Sequence, residues 1–300
     1  IKLLKKLDFE VYPVALSTRD NGIISPAFPT IQKFNYVIAL VYLNQKPVFL
    51  DATDEERPLG FLPERCLNGQ GRIIHETRSG WIDLPSDNKS KTSVFANYTL
   101  SPEFEITGTV EYSMHEFAAL AFREDYKKFP GKEDYLADQE SKCPGLSINN
   151  LSIQNLDSLN LPVNIRQEIA MNNQIDDLGD VISLNPLLFN RMSVSPFVSK
   201  ERKFPVDYAF PREEKITVQL QIPQGYSVSG VPEAINLVLP EKKASYKYQV
   251  ITSGNLVKLI AKLTIDDVVF TEDEYTLLRE FYNQIIAKQA ETIILKKADS

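Results

Sequence analysis

Thiols and imidazoles are scarce in this chain, which contains only Cys66, Cys143, His75 and His115. None of the four has a Cys-x-x-Cys or His-x-x-x-His spacing, so the sequence predicts no metal site. The two cysteines lie far apart in sequence and could pair only if the fold brought them together in an oxidising compartment; we expect two separate structural thiols. The 12 glycines form no phosphate-binding pattern, so we expect no cofactor.

Long apolar runs and excess positive charge are absent too. The longest unbroken apolar run, from Tyr36 to Leu43, is far shorter than the roughly 18 residues that a membrane-spanning helix needs. The first residues lack the charged and then apolar pattern of a signal peptide. The chain has 40 acidic and 33 basic residues, a net charge of -7. We therefore expect no transmembrane segment and no nucleic-acid partner.

The chain is nevertheless 43% hydrophobic, which is enough for about two ordinary globular domains. Every side chain of the run Ser86–Lys91 is polar or charged and would be costly to bury, so we place the domain boundary there. The sequence predicts an α+β protein with one domain over residues 1–85 and a second over residues 90–300.

The first domain is predicted to pass from a helix end at Leu3–Leu7 into a strand at Phe9–Leu16. A hairpin follows, with strands Tyr36–Leu43 and Lys46–Asp51 joined by a two-residue loop. The first hairpin strand is apolar on both alternating faces, which indicates a strand covered on both sides. Residues 54–84 are rich in Gly and Pro and predict a loop-rich segment.

The second domain shows persistent two-residue alternation, which is typical of half-buried antiparallel strands and favours a β-sandwich. Its predicted strands lie around Ile106–Tyr112, Ile216–Ile222, Tyr246–Val250, Val257–Ile265 and Thr292–Leu295. Two helices interrupt them, one over Met114–Phe129 and one that begins with a capping box between Thr271 and Glu274.

The first domain resembles the C-terminal portion of the core of the bacterial transglutaminase-like superfamily. The resemblance rests on the hairpin, on Leu50–Asp54 and on Leu62–Gly69, and residues from about Lys215 to Lys297 resemble the β-sandwich extension of that family. Its catalytic Cys lies on a helix before the hairpin, so the resemblance implies that the nucleophile, like the rest of the core, precedes Ile1 in a longer polypeptide. Members are usually exported, which implies a periplasmic or cell-surface location.

The resemblance places the family's catalytic His at Tyr36 and its orienting acid at Asp51. A phenol with a pKa near 10 is a poor proton acceptor from a thiol near 8.5, so we expect no working triad and regard both residues as vestigial. The structural alternative is a hydroxyl–carboxylate pair that holds two strands in register. His75 and His115 lack partner motifs, and Cys66 is expected to be a buried structural thiol.

Three functions remain open. The first is a non-catalytic scaffold or binding module of the bacterial cell envelope, with a protein or glycan as partner. The second is a cysteine-dependent peptidase or acyl-transferring transglutaminase-like enzyme whose nucleophile lies upstream of Ile1. The third is a carbohydrate-binding β-sandwich, in which tyrosines such as Tyr226, Tyr246 and Tyr248 stack on sugar rings.

Overall fold

The structure is a computed structural model that describes residues 1–53, 57–84 and 88–297. It divides into two compact units, Ile1–Asn88 and Lys89–Ser300. Part of the polar run predicted as the boundary, residues 85–87, lies outside the described residues, as does Asp54 of the family motif. The assignment of the two units to particular domain families stays a prediction.

The first unit is built on an antiparallel sheet preceded by one short helix, α1 (Lys2–Lys6). The five strands are β1 (Val11–Leu16), β2 (Tyr36–Leu43), β3 (Lys46–Leu50), β4 (Gln70–Ile73) and β5 (Gly80–Asp83). Their order across the sheet is β3-β2-β1-β4-β5. The segment predicted to be loop-rich therefore supplies two strands, which are too short to show a periodic pattern between glycines and prolines.

The predicted hairpin is confirmed as β2 and β3. Asn44 and Gln45 both have positive φ angles, of 50° and 65°, which suits a tight two-residue turn whose twist matches the strands. Ala39 pairs with Leu50, so the next residue, Asp51, lies at the level of the start of β2.

The prediction that β2 is covered on both faces holds for only part of the strand. Ile38 and Leu40 are buried on one face, and Val41 is buried on the other. Val37, at the start of that second face, is 59% exposed. Tyr36 therefore opens the strand at a half-exposed position.

The second unit is organised around an eight-stranded sheet in the order β15-β16-β17-β13-β6-β7-β9-β8. These strands are β6 (Ser90–Leu100), β7 (Ile106–Glu116), β8 (Leu146–Gln154), β9 (Val163–Met171), β13 (Arg212–Gln221), β15 (Ile235–Val238), β16 (Ala244–Ser253) and β17 (Leu256–Ile265). All neighbouring pairs are antiparallel except β13 and β6, which run parallel. The prediction of a mainly antiparallel unit is correct in this respect.

Smaller elements complete the second unit. A four-stranded sheet has the order β10-β11-β19-β14, and two short strands, β12 and β18, pair with each other. Their bounds are β10 (Ile175–Asp177), β11 (Val181–Leu184), β12 (Val206–Asp207), β14 (Tyr226–Gly230), β18 (Val269–Phe270) and β19 (Ile293–Lys297). The helices are α2 (Phe117–Tyr126), α3 (Lys132–Lys142) and α4 (Tyr275–Ala290).

The core of the second unit lies on one face of the large sheet. Towards one end, a cluster combines buried strand residues such as Tyr246 and Leu259 with α4 residues such as Leu278 and with the four-stranded sheet. Towards the other end, Phe122 of α2 and Tyr135 of α3 pack on β8 and β9. This arrangement agrees with the predicted α+β class, whereas helices as well as a second sheet cover the large sheet, so the β-sandwich stays a prediction.

Two helix predictions need correction. The helix predicted over Met114–Phe129 begins only at Phe117, because β7 continues to Glu116, and α3 was not predicted. At α4, the Glu274 carboxylate accepts the Thr271 N–H at 2.8 Å, as a capping box requires. The Thr271 hydroxyl donates to the same carboxylate instead of accepting a backbone N–H, and the helix starts one turn later than expected.

Candidate functional site

Tyr36 stands at the first position of β2, where its side chain meets the residues that follow β3. Its hydroxyl donates to Asp51 Oδ2 at 2.8 Å and lies 3.1 Å from Thr53 Oγ1. The predicted hydroxyl–carboxylate pair is therefore present. It forms because the short hairpin returns Asp51 to the level at which β2 begins.

Asp51 is held as a carboxylate by the groups around it. Burial alone would raise the pKa of Asp51, but hydrogen bonds from the Thr53 amide, the Thr53 hydroxyl and Tyr36, with the charge of Arg65, lower it below its ordinary value. The other carboxylate oxygen accepts the Thr53 N–H at 2.9 Å. Both oxygens thus have protein partners, and the Oδ2 partner is the phenol.

Two residues of this cluster, Thr53 and Arg65, were not predicted as site residues. Arg65 Nη2 donates to Tyr36 Oη at 2.7 Å and to Thr53 Oγ1 at 3.0 Å. The guanidinium carbon also lies 5.0 Å from the centre of the Tyr36 ring, within the range of a cation–π contact. Arg65 belongs to the Leu62–Gly69 motif, but no spacing rule connects that motif to Tyr36.

Cys66 follows Arg65 and is fully buried, as expected of a structural thiol. Burial raises the pKa of the Cys66 thiol to about 12; the Asp51 carboxylate adds to this effect, and the charges of Arg65 and Arg57 oppose it. Since the thiolate is the reactive form, this environment suppresses nucleophilic chemistry. Cys143 of the second unit is half-buried, and both cysteines are free thiols.

His75 does not reach the Asp51 carboxylate and lies in its own turn. Its Nδ1 accepts the backbone N–H of Thr77 at 3.2 Å and that of Arg78 at 3.1 Å, and its ring packs edge-on against Tyr12. The Nδ1 lone pair of His75 is therefore engaged by the turn that contains it.

His115 lies in the second unit, on β7, where its Nε2 is 3.1 Å from Ser113 Oγ. We call Tyr36, Asp51, Thr53 and Arg65 the Tyr36 cluster. Neither imidazole contacts this cluster within the part of the chain that the structure describes. The described residues also contain no cluster of three or more His, Cys, Asp or Glu side chains that could hold a metal ion.

The Tyr36 cluster is well suited to holding segments of the chain together by hydrogen bonds and poorly suited to proton transfer. The hydroxyl joins the start of β2, the residues after β3 and the short helical turn Glu64–Cys66. Its acceptor neighbour is ionised and its donor neighbour is a guanidinium, which does not deprotonate in proteins. The arrangement fixes three segments of the first unit to one another.

A comparison with known protein families gives a match in the second unit and none in the first. The model of a family described as a domain of unknown function with solved structure (DUF3858) matches residues 180–295. This stretch is fewer than half of the residues and contains β11 to α4 and most of β19. No curated protein sequence matches the chain. In the described residues, no helix has the length and apolarity needed to span a membrane.

One similar solved structure is a crystal structure of a "putative protease" from Parabacteroides distasonis ATCC 8503. The alignment has a TM-score of 0.48 and 10% sequence identity, and it covers 98% of this chain but 41% of that protein. The chain thus spans less than half the length of that protein. The findings support a β-rich α+β protein that carries DUF3858 similarity in its second unit.

Proposed function

We propose that residues 1–85 are the C-terminal portion of a transglutaminase-like core that no longer performs chemistry. In this proposal the chain is a non-catalytic scaffold or binding module of the bacterial cell envelope. The observation that carries it is the 2.8 Å hydrogen bond from the Tyr36 hydroxyl to Asp51. The phenol occupies the carboxylate oxygen that an orienting acid would offer to a catalytic imidazole.

The surroundings of Tyr36 also support a loss of catalysis. Arg65 donates a hydrogen bond to the Tyr36 oxygen, so this oxygen already accepts a proton donor that cannot be removed at neutral pH. Cys66, the cysteine nearest to Asp51 in sequence, is buried and fully protonated at neutral pH. His75, the one imidazole of the first unit, uses Nδ1 to hold its own turn.

The alternative is a cysteine-dependent peptidase or acyl-transferring enzyme whose nucleophile precedes Ile1. It requires an upstream thiol and a base other than Tyr36. Labelling of the natural full-length protein with an iodoacetamide alkyne at neutral pH, followed by peptide mapping, separates the two functions. We expect no cysteine to react faster than an ordinary exposed thiol, and no cysteine-dependent cleavage of casein or amine incorporation into it.

Tyr36→His in the full-length protein is the matched variant, because it restores an imidazole beside Asp51. A labelling rate that rises with this variant, from a slow rate in the native protein, supports the loss of a base at this position. A native protein that labels rapidly upstream of Ile1 and modifies casein overturns the proposal. The envelope location is checked separately by fractionation of the source cells.

A further inference from the structure

The outer face of the large sheet in the second unit carries a groove of about 550 Å³. We propose that this groove binds a linear, uncharged oligosaccharide. The inference concerns residues of β6, β7, β8, β9 and β13 only, so it stands independently of the role proposed for Tyr36. The groove lies opposite the buried core, because the intervening residues Val94 and Ile165 point into the core.

Strand register arranges the groove side chains in two rows that cross five strands. The first row runs through Lys215, Ser93, Ser113, Asn164 and Gln154, which pair in that order across the sheet. The second row runs through Thr217, Phe95, Glu111, Arg166 and Ser152. Five strands at a spacing of about 4.8 Å give each row a length of about 19 Å. This length suits an extended chain of several sugar units.

The first row is mostly uncharged and rich in groups that both donate and accept hydrogen bonds. Ser113 Oγ donates to Asn164 Oδ1 at 2.8 Å, which leaves the Asn164 amide nitrogen without a partner among the described residues. The side chains of Ser93 and Gln154 likewise have none there. Sugar hydroxyls are also both donors and acceptors, so hydroxyl and amide side chains in a row match them.

The second row supplies an apolar surface and a neutralised charge pair. Phe95 is 39% exposed on the groove floor, where its ring face can pack on the C–H face of a sugar. Arg166 and Glu111 form a salt bridge with each other, so together they add no net charge. Lys215 leaves the two rows with a single net positive charge on a chain whose net charge is -7, which is too little to hold a polyanion, so we expect an uncharged ligand.

Other classes of ligand fit this surface less well. An extended peptide would gain affinity by adding a strand to a sheet edge, whereas the groove lies on a face whose backbone groups are already paired. The tyrosines considered from the sequence do not contribute. Tyr246 and Tyr248 are buried in the core, and Tyr226 packs edge-on against Phe104.

The test is isothermal titration calorimetry of the 300-residue chain with cellohexaose, xylohexaose, mannohexaose and chitohexaose. We expect at least one to bind, and expect Phe95→Ala and Asn164→Ala each to weaken that binding by roughly tenfold. Phe204→Ala, at a 76% exposed loop position, and Asn97→Ala, on β6 outside the groove, are the matched controls and should bind as the native chain does.

A thermal melt of each variant separates lost binding from lost folding, because Phe95 is already partly exposed and its truncation should leave the melt nearly unchanged. Binding of an uncharged ligand should also change by less than about twofold when the salt concentration is raised. The proposal is overturned if none of the four hexasaccharides binds at millimolar concentration. It is equally overturned if the groove variants bind as well as the controls, or if only the polyanion polygalacturonate binds.

Discussion

Tyr36→Phe removes one hydroxyl and keeps the ring, so it isolates the hydrogen bonds that hold the first unit together at this point. The hydroxyl contacts Asp51 at 2.8 Å, Arg65 at 2.7 Å and Thr53 at 3.1 Å. Hydrogen bonds to charged groups contribute about 1.5–3 kcal/mol when buried. Because this cluster is partly exposed and water can replace the hydroxyl, we expect a loss of about 1–2 kcal/mol.

Trp81 makes this loss measurable in the first unit alone. It is the only tryptophan of the chain and lies on β5, stacked on Phe34. Urea unfolding followed by Trp fluorescence should show a midpoint lower by about 1–2 M, since the urea dependence for so small a unit is about 1 kcal/mol per M. Tyr42→Phe on the same strand is the control, because its hydroxyl has no hydrogen-bond partner in the described residues.

The stability lost in Tyr36→Phe should depend on pH, and the ionisation of Asp51 decides in which direction. Its folded pKa lies below the ordinary value of 3.8, so its stabilisation is fully present above that pH and disappears as the pH falls through the folded pKa. The difference between the native chain and Tyr36→Phe should therefore be largest near neutral pH and shrink in strong acid. Equal midpoints at neutral pH would refute the role assigned to the hydroxyl.

Three further predictions follow from buried polar groups. Cys66, with a thiol pKa of about 12, has about one thiolate in ten thousand at pH 8; mass spectrometry should find it alkylated by iodoacetamide only after unfolding. Arg123→Met should lower stability by about 3 kcal/mol in thermal melts, because the buried guanidinium donates to loop carbonyls between Asn155 and Leu161. Tyr248→Phe should stabilise the second unit by up to about 1 kcal/mol, since the buried Tyr248 hydroxyl has no partner in the described structure. Tyr246→Phe is the contrasting variant and should destabilise the unit, because the Tyr246 hydroxyl accepts a hydrogen bond from Gln289.

Local sequence patterns predicted the parts of the fold that depend on neighbouring residues. The two-residue turn at Asn44 and Gln45 and the apolar strands around it led to the hairpin, and the hairpin led to the pair of Tyr36 and Asp51. Strands β4 and β5 escaped prediction because each has four residues. Gly71, which resembled a loop glycine, lies where an added Cβ would be 2.4 Å from Val14, so close strand packing requires it.

Long-range arrangement could be decided only by the tertiary structure. Arg65 reaches Tyr36 from 29 residues away, and no periodicity in the sequence encodes that approach. The parallel pairing of β6 with β13, which are separated by most of the second unit, brings Lys215 and Thr217 beside Ser93 and Phe95. Composition and alternation therefore determined which residues are polar or apolar on each strand, whereas strand order and register decided which of them share a surface, because those depend on contacts between segments remote in sequence.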